Sequence, residues 1–258
     1  MRTRLTAVCL IGLVCAFGAC RVSAQTTVAW VVDGETREAI VYAPPAASGG
    51  RPVPLVLAFH GFGDNMQNFQ GVNLQGAWPD AVVVYLQGLE RRGGLLGWQV
   101  EQGTNGDRDL KFVDVALAAL RNDYNIDDDR IYATGFSNGG MFTYLLWAER
   151  PDVFAAYAPV AASFRNSAQP TTPRPILHVA GETDRQVSFV DQQAAIDIAV
   201  AVNGVGALAA PCGDGCTTYG PNTPSPVMTV IHPGGHTYPR PTSGQIVAFF
   251  QHHTRGSR

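Results

Sequence analysis

Lysine is almost missing from this chain. Lys111 is the only one, and the other basic residues are scattered arginines, 18 basic residues against 21 acidic in all. They form no stripe or cluster, which excludes a nucleic-acid face built on charge. Charged residues are sparse too, at 15% against 46% hydrophobic, a globular balance that argues against both disorder and a membrane bundle. No internal repeat and no low-complexity linker marks off an appended binding module. Cysteine is scarce, and three of the five (Cys9, Cys15 and Cys20) fall within the first 20 residues.

That first segment reads as a targeting sequence. Arg2 and Arg4 form a basic start, Leu5 to Ala19 is apolar, and Val22-Ser23-Ala24 supplies compact residues before Gln25. The pattern predicts a signal peptide over residues 1–24 and a secreted or periplasmic mature chain over 25–258, since the apolar run is too short for a stable span. Lipoprotein processing at Cys20 is the alternative, with Phe17 standing where such a site usually has leucine. Cleavage after Ala24 removes Arg2, Arg4 and Arg21, taking the net charge from −3 to −6. Only Cys212 and Cys216 then remain. In an exported chain their spacing within Cys-Gly-Asp-Gly-Cys predicts a local disulfide, and the segment offers too few ligands for a metal.

The remaining 234 or so residues suffice for one α/β domain with a substantial core. Apolar runs at Leu55–Phe59, Ala81–Tyr85, Ile131–Thr134, Ala155–Val160, Ile176–Ala180 and Val227–Ile231 read as buried strands. A hairpin, 26–32 and 36–42 about Asp33-Gly34, precedes them. Helical patterns fall between them, among them one through Tyr124 that Asp107 or Asp109 is expected to cap, Phe189–Val202 and Thr242–Thr254. Asp127–Asp129 reads as a turn, and Ala207–Pro226 as an irregular loop. The alternation predicts a mainly parallel, doubly wound sheet.

Ile131–Thr134 runs into Gly135-Phe-Ser-Asn-Gly139, and a helix with Met141, Leu145 and Ala148 on one face follows. Strand, glycine-flanked serine and helix in that order describe a nucleophile elbow. Acyl transfer by Ser137 needs a base and a group to orient it, and both belong on loops beyond strand ends. Asp184 follows Ile176–Ala180 and His236 follows Val227–Ile231, giving the order Ser, Asp, His. His232 is the serious rival as base; His178 reads as a core residue, and His252 and His253 as solvated. The oxyanion hole is expected to use the backbone N–H groups of Asn138 and Phe62, the latter on the His60-Gly61-Phe62 loop. His60 is expected to brace that loop, within reach of substrate.

The segments HGFGD, YLQG with GWQ, RIYATGFSNGGM, ERPDVFAAYAPVA and GGHTYP together resemble the secreted polyhydroxybutyrate depolymerase/feruloyl esterase family, in order across most of residues 27–253. GETDRQV departs from the family's His-Gly-Thr-x-Asp-like segment but keeps Asp184 in place. The resemblance implies an α/β-hydrolase fold without a large lid and carboxylesterase activity without a cofactor or metal. It also implies Ser137, Asp184 and His236 as the catalytic residues. Trp98 is implied to lie near the substrate; with Phe62 and Tyr238 it would suit an aromatic, feruloyl-type or small ester. Polyester oligomers are the other substrates in view, with an ester as the partner and a monomer as the assembly. The alternatives are a serine peptidase on the same fold and a non-catalytic binding protein.

Overall fold

The computed structural model describes residues 24–91, 93–164, 169–206 and 209–256; the expected signal peptide and Cys20 lie outside the described residues, Ala24 apart. Strands β1 (Ala24–Val32) and β2 (Glu35–Ala43) pair across the Asp33-Gly34 turn, where φ is 50° and 86°. β3 (Val53–Phe59) is buried at every residue. Two short helices follow, α1 (Met66–Phe69), capped by the Asn65 side chain, and α2 (Leu74–Ala77). Then come β4 (Val82–Leu86), a small ribbon of β5 (Leu89–Glu90) and β6 (Leu96–Gly97), and α3 (Arg108–Asp123). β7 (Ile126–Phe136) leads into α4 (Asn138–Glu149), followed by β8 (Ala156–Val160), β9 (Ile176–Gly181) and α5 (Phe189–Asn203). β10 (Ala209–Gly213), β11 (Cys216–Tyr219), β12 (Val227–His232) and α6 (Thr242–Gln251) follow.

Ten strands form one sheet in the order β1-β2-β4-β3-β7-β8-β9-β12-β11-β10. The six from β4 to β12 are parallel, and an antiparallel pair flanks them at each edge. The two-residue period of the central strands divides the core in two. Leu55, Leu57, Phe59, Ile131 and Ala133 join α3, α4 and α5 on one face. Val56, Ala58 and Tyr132 join α1, α2 and α6 on the other. Strands buried on both faces carry no polar alternation, hence their continuous apolar runs.

Three local expectations are corrected. Asp127–Asp129 is the outer end of β7, not a turn, and its three acids pair with Arg130, Arg121 and Arg255 at 2.7, 2.7 and 3.3 Å. Neither Asp107 nor Asp109 caps α3 with its side chain. Asp109 is instead fully buried and ion-paired with Arg37 at 2.8 Å. The 207–226 segment contains the β10–β11 hairpin, and the Cys212–Cys216 disulfide spans its turn with a Cα separation of 5.0 Å.

Candidate active site

β7 delivers Ser137 to the carboxyl edge of the sheet at φ 54°, ψ −117°, a conformation costing a residue with a Cβ on the order of 1–3 kcal/mol. Its N–H donates to the Val160 carbonyl at 2.8 Å, and its carbonyl accepts from Met141 at 2.9 Å, so both neighbours hold the turn. The glycines allow it to close. A Cβ on Gly135 would strike Gly139, and one on Gly139 would strike the Phe59 carbonyl.

The loops after β9 and β12 are joined. Glu182 N–H donates to the His232 carbonyl at 2.9 Å and Thr183 N–H to Gly234 at 3.1 Å; a Cβ on Gly181 would meet the Gly235 carbonyl. This juxtaposition sets Asp184 beside His236. The Asp184 Oδ2 to His236 Nδ1 distance is 2.8 Å, and His236 Nε2 lies 2.9 Å from Ser137 Oγ. The Asp184 side chain is wholly buried and that of His236 nearly so. Asp184 Oδ1 accepts from the N–H groups of Gln186 and Val187 at 2.9 and 3.0 Å, and Oδ2 also accepts from Gln192 Nε2 at 3.0 Å. An acceptor-only carboxylate against Nδ1 places the imidazole proton there and leaves Nε2 to accept from the Ser137 hydroxyl.

The His60-Gly61-Phe62 loop lies against this turn: a Cβ on Gly61 would be 3.6 Å from Ser137 Cβ. His60 is fully buried, with Nδ1 donating to the Gly61 carbonyl at 2.7 Å and Nε2 accepting from Gly88 N–H at 3.0 Å. Burial lowers its pKa and keeps the ring neutral, and these two bonds select the tautomer. His60 therefore braces the loop, but the expectation that it reaches substrate is corrected, since no surface is left to it. Asn138 clamps the neighbouring segment at two points. Its Oδ1 accepts from Trp98 N–H at 2.7 Å, and its Nδ2 donates to the Trp98 carbonyl at 3.0 Å. The backbone N–H groups of Asn138 and Phe62 have no acceptor among the described residues.

Ser137 opens onto a cavity of about 790 Å³ with Phe62, Val100, Met141 and Val187 as its apolar walls and Arg91, Asn105 and Arg108 among its polar lining. Trp98 does not line it, contrary to expectation. Its ring is wholly buried, stacked on Phe142 at 5.3 Å, and its indole N–H donates to the His60 carbonyl at 3.0 Å. Tyr238 is corrected likewise. It faces a separate cavity of about 710 Å³ beyond Phe136, and its hydroxyl lies 3.0 Å from Ser243 Oγ.

The other histidines are placed elsewhere. His232 turns into its own loop, Nδ1 accepting from Gly234 N–H at 3.1 Å. His253 is not solvated as expected: it packs on Phe249 at 4.5 Å, and burial pushes its pKa down to about 4. His178 is buried in the core as expected. It bridges Gln192 and Tyr144, two residues that no local sequence pattern ties to the site. Phe136 was also unmarked beyond its place in the elbow; its ring lies 4.9 Å from that of His236.

A model of the prolyl oligopeptidase family matches residues 82–173. "Putative esterase NocK" of Nocardia uniformis subsp. tsuyamanensis is 33% identical over 60% of this chain and 47% of its own length. "Bifunctional acetylxylan esterase/xylanase XynS20E" of Neocallimastix patriciarum is 32% identical over 61% of this chain and 23% of its own. "Feruloyl esterase B" of Piromyces equi is 27% identical over 59% and 30%. The chain thus spans less than half the length of each of these relatives. A poly(3-hydroxyalkanoate) depolymerase and further feruloyl esterases are also among its relatives, in line with the sequence resemblance. In structure the chain is similar to the acetyl xylan esterase from Aspergillus awamori, with a TM-score of 0.65 at 15% identity over 83% of this chain and 94% of that one. Sheet order and structural likeness together establish the α/β-hydrolase fold.

Proposed function

We propose that this chain is a serine carboxylic-ester hydrolase working through an acyl-enzyme. The observation that carries the reading is the contact series Asp184–His236–Ser137, at 2.8 and 2.9 Å, ending on a serine held at positive φ. Relatives named as esterases support it. His236 Nε2 takes the Ser137 proton as Oγ attacks the ester carbonyl, and the oxyanion is received by the Asn138 and Phe62 N–H groups. The protonated His236 then passes that proton to the leaving alkoxide. Water, deprotonated in turn by His236, releases the acid. Asp184 keeps the imidazole in the required tautomer and offsets its positive charge.

His236→Ala is expected to lower kcat/KM by at least about 10³-fold, and His232→Ala by less than about threefold, because general-base catalysis contributes roughly 10²–10⁴ and His232 faces its own loop. Steady-state kinetics on p-nitrophenyl acetate would show the difference, and the opposite ranking would reassign the base.

Of the three aromatic residues expected around the substrate, only Phe62 walls the Ser137 cavity. Beside it stand aliphatic and polar groups, which suit a compact acyl group or an aromatic one bearing hydrogen-bonding substituents, feruloyl-type esters included. Comparing methyl ferulate, hydroxybutyrate oligomers and p-nitrophenyl esters tests this substrate class; turnover confined to the oligomers would move it to polyesters. The prolyl oligopeptidase match favours a second reading, amide hydrolysis at the same serine. An anilide and an ester of one acyl group separate the two. The Cys212–Cys216 disulfide supports export to an oxidising compartment.

A further inference from the structure

We infer that Gln192, His178 and Tyr144 form a buried hydrogen-bond relay that sets the orientation and acceptor strength of the Asp184 carboxylate, making all three positioning residues for the hydrolysis. The inference rests on the reading of Asp184 as the acid partner of His236.

The relay crosses three elements. Gln192 on α5 donates from Nε2 to Asp184 Oδ2 at 3.0 Å and to the Val187 carbonyl at 2.9 Å. Its Oε1 lies 3.3 Å from His178 Nε2 on β9, and His178 Nδ1 lies 2.6 Å from the hydroxyl of Tyr144 on α4. Gln192, His178 and Tyr144 are all buried at 1% exposure or less, so water cannot replace any of these partners. A single placement of protons satisfies the whole series. The carboxylate and the Val187 carbonyl only accept, so the glutamine nitrogen must face them and its oxygen must face His178. His178 then carries its proton on Nε2, and Nδ1 is free to accept from Tyr144 O–H. Burial, which lowers the His178 pKa to about 4, keeps the ring in this neutral form.

Hydrogens therefore point along the series toward Asp184, from the helix that follows Ser137 back to the acid. Each bond polarises the next, so Gln192 is a stronger donor than an isolated amide. Asp184 Oδ1 is already held by two backbone N–H groups, which leaves Gln192 to share Oδ2 with His236. Without Gln192, Oδ2 has His236 alone among the described residues. It becomes a stronger acceptor and holds the imidazolium more tightly in the free enzyme. Its rotation, no longer fixed, loosens the Ser137 contact.

Gln192→Leu is expected to lower kcat about 10- to 100-fold with KM nearly unchanged, the loss of one hydrogen bond to a charged group. The acid limb of the pH profile of kcat/KM is expected to move upward by roughly half a unit, because a less solvated carboxylate favours the charged imidazole. Tyr144→Phe, which keeps the ring packed on Phe164, is expected to shift the limb the same way by less. In the Gln192→Leu background the Tyr144→Phe shift should vanish, since the relay is already cut. Two additive shifts, or none, would overturn the inference, because a purely structural role couples through stability and not through this titration. If Gln192→Leu does not fold, the low-field proton resonance of His236 Nδ1–H decides: Tyr144→Phe alone must move it, and an unmoved resonance refutes the relay. That resonance is read without turnover. An inactive wild type with a coupled resonance would therefore refute the ester reading and leave the relay standing.

Discussion

Ser137→Ala is expected to reduce kcat/KM for p-nitrophenyl acetate by at least about 10⁴-fold, leaving only what oxyanion binding and orientation contribute without a nucleophile. The loss should come without loss of fold. Among the described residues the serine side chain makes one hydrogen bond, to His236, and its replacement leaves the backbone bonds to Val160 and Met141 in place. The strain of the positive φ persists with alanine, which also has a Cβ, so the melting temperature should stay close to that of the wild type. Fluorophosphonate labelling gives an independent reading: the wild type should be labelled at Ser137 and the variant not at all. Turnover near the wild-type rate in a folded Ser137→Ala protein would remove the acyl-enzyme mechanism altogether.

The elbow was legible because its chemistry is local. Glycine at 135 is demanded by its contact with Gly139 four residues on, and the strand before it is a continuous apolar run. The positions of Asp184 and His236 were legible for a related reason, since each follows a buried strand that could be recognised by composition. What could not be read depends on contacts between distant segments. The family resemblance implied a place near the substrate for Trp98, but its ring is taken into the core by Phe59 and Phe142 and its peptide by Asn138, 40 residues away. Tyr238 is only two residues beyond His236, yet Phe136 stands beside both rings, and Tyr238 falls on the side of the other cavity. The acids at 127–129 suggested a turn by residue type alone, with their arginine partners at 121, 130 and 255 unseen. Tyr144, His178 and Gln192 lie on three separate elements, so no spacing rule connects them.

Asp109→Ala is expected to destabilise the fold by about 3–5 kcal/mol, the cost of leaving a buried charge without its partner. Arg37 and Asp109 are both almost fully buried, and their 2.8 Å contact joins β2 to the first turn of α3. The guanidinium also donates to the Arg108 and Gln87 carbonyls at 3.1 and 3.3 Å and lies 4.1 Å from the centre of the Phe112 ring. These carbonyls cannot neutralise it, so the charge left by the substitution would either admit water or shift β2 away from α3. Asp109 Oδ2 also accepts from Gln99 N–H at 2.7 Å, and Gln99 follows the tryptophan that Asn138 clamps. The substitution should therefore loosen the segment beside the serine, and activity should fall at temperatures below the unfolding transition. Replacing both partners, Arg37→Met with Asp109→Leu, removes the charge and the desolvation penalty together, and is expected to recover most of the lost stability because buried pairs contribute little net over apolar residues of similar size. Urea unfolding of Arg37→Met, Asp109→Leu and the double variant measures this coupling. A double variant as unstable as the sum of the singles would show that the pair is held by something other than mutual neutralisation.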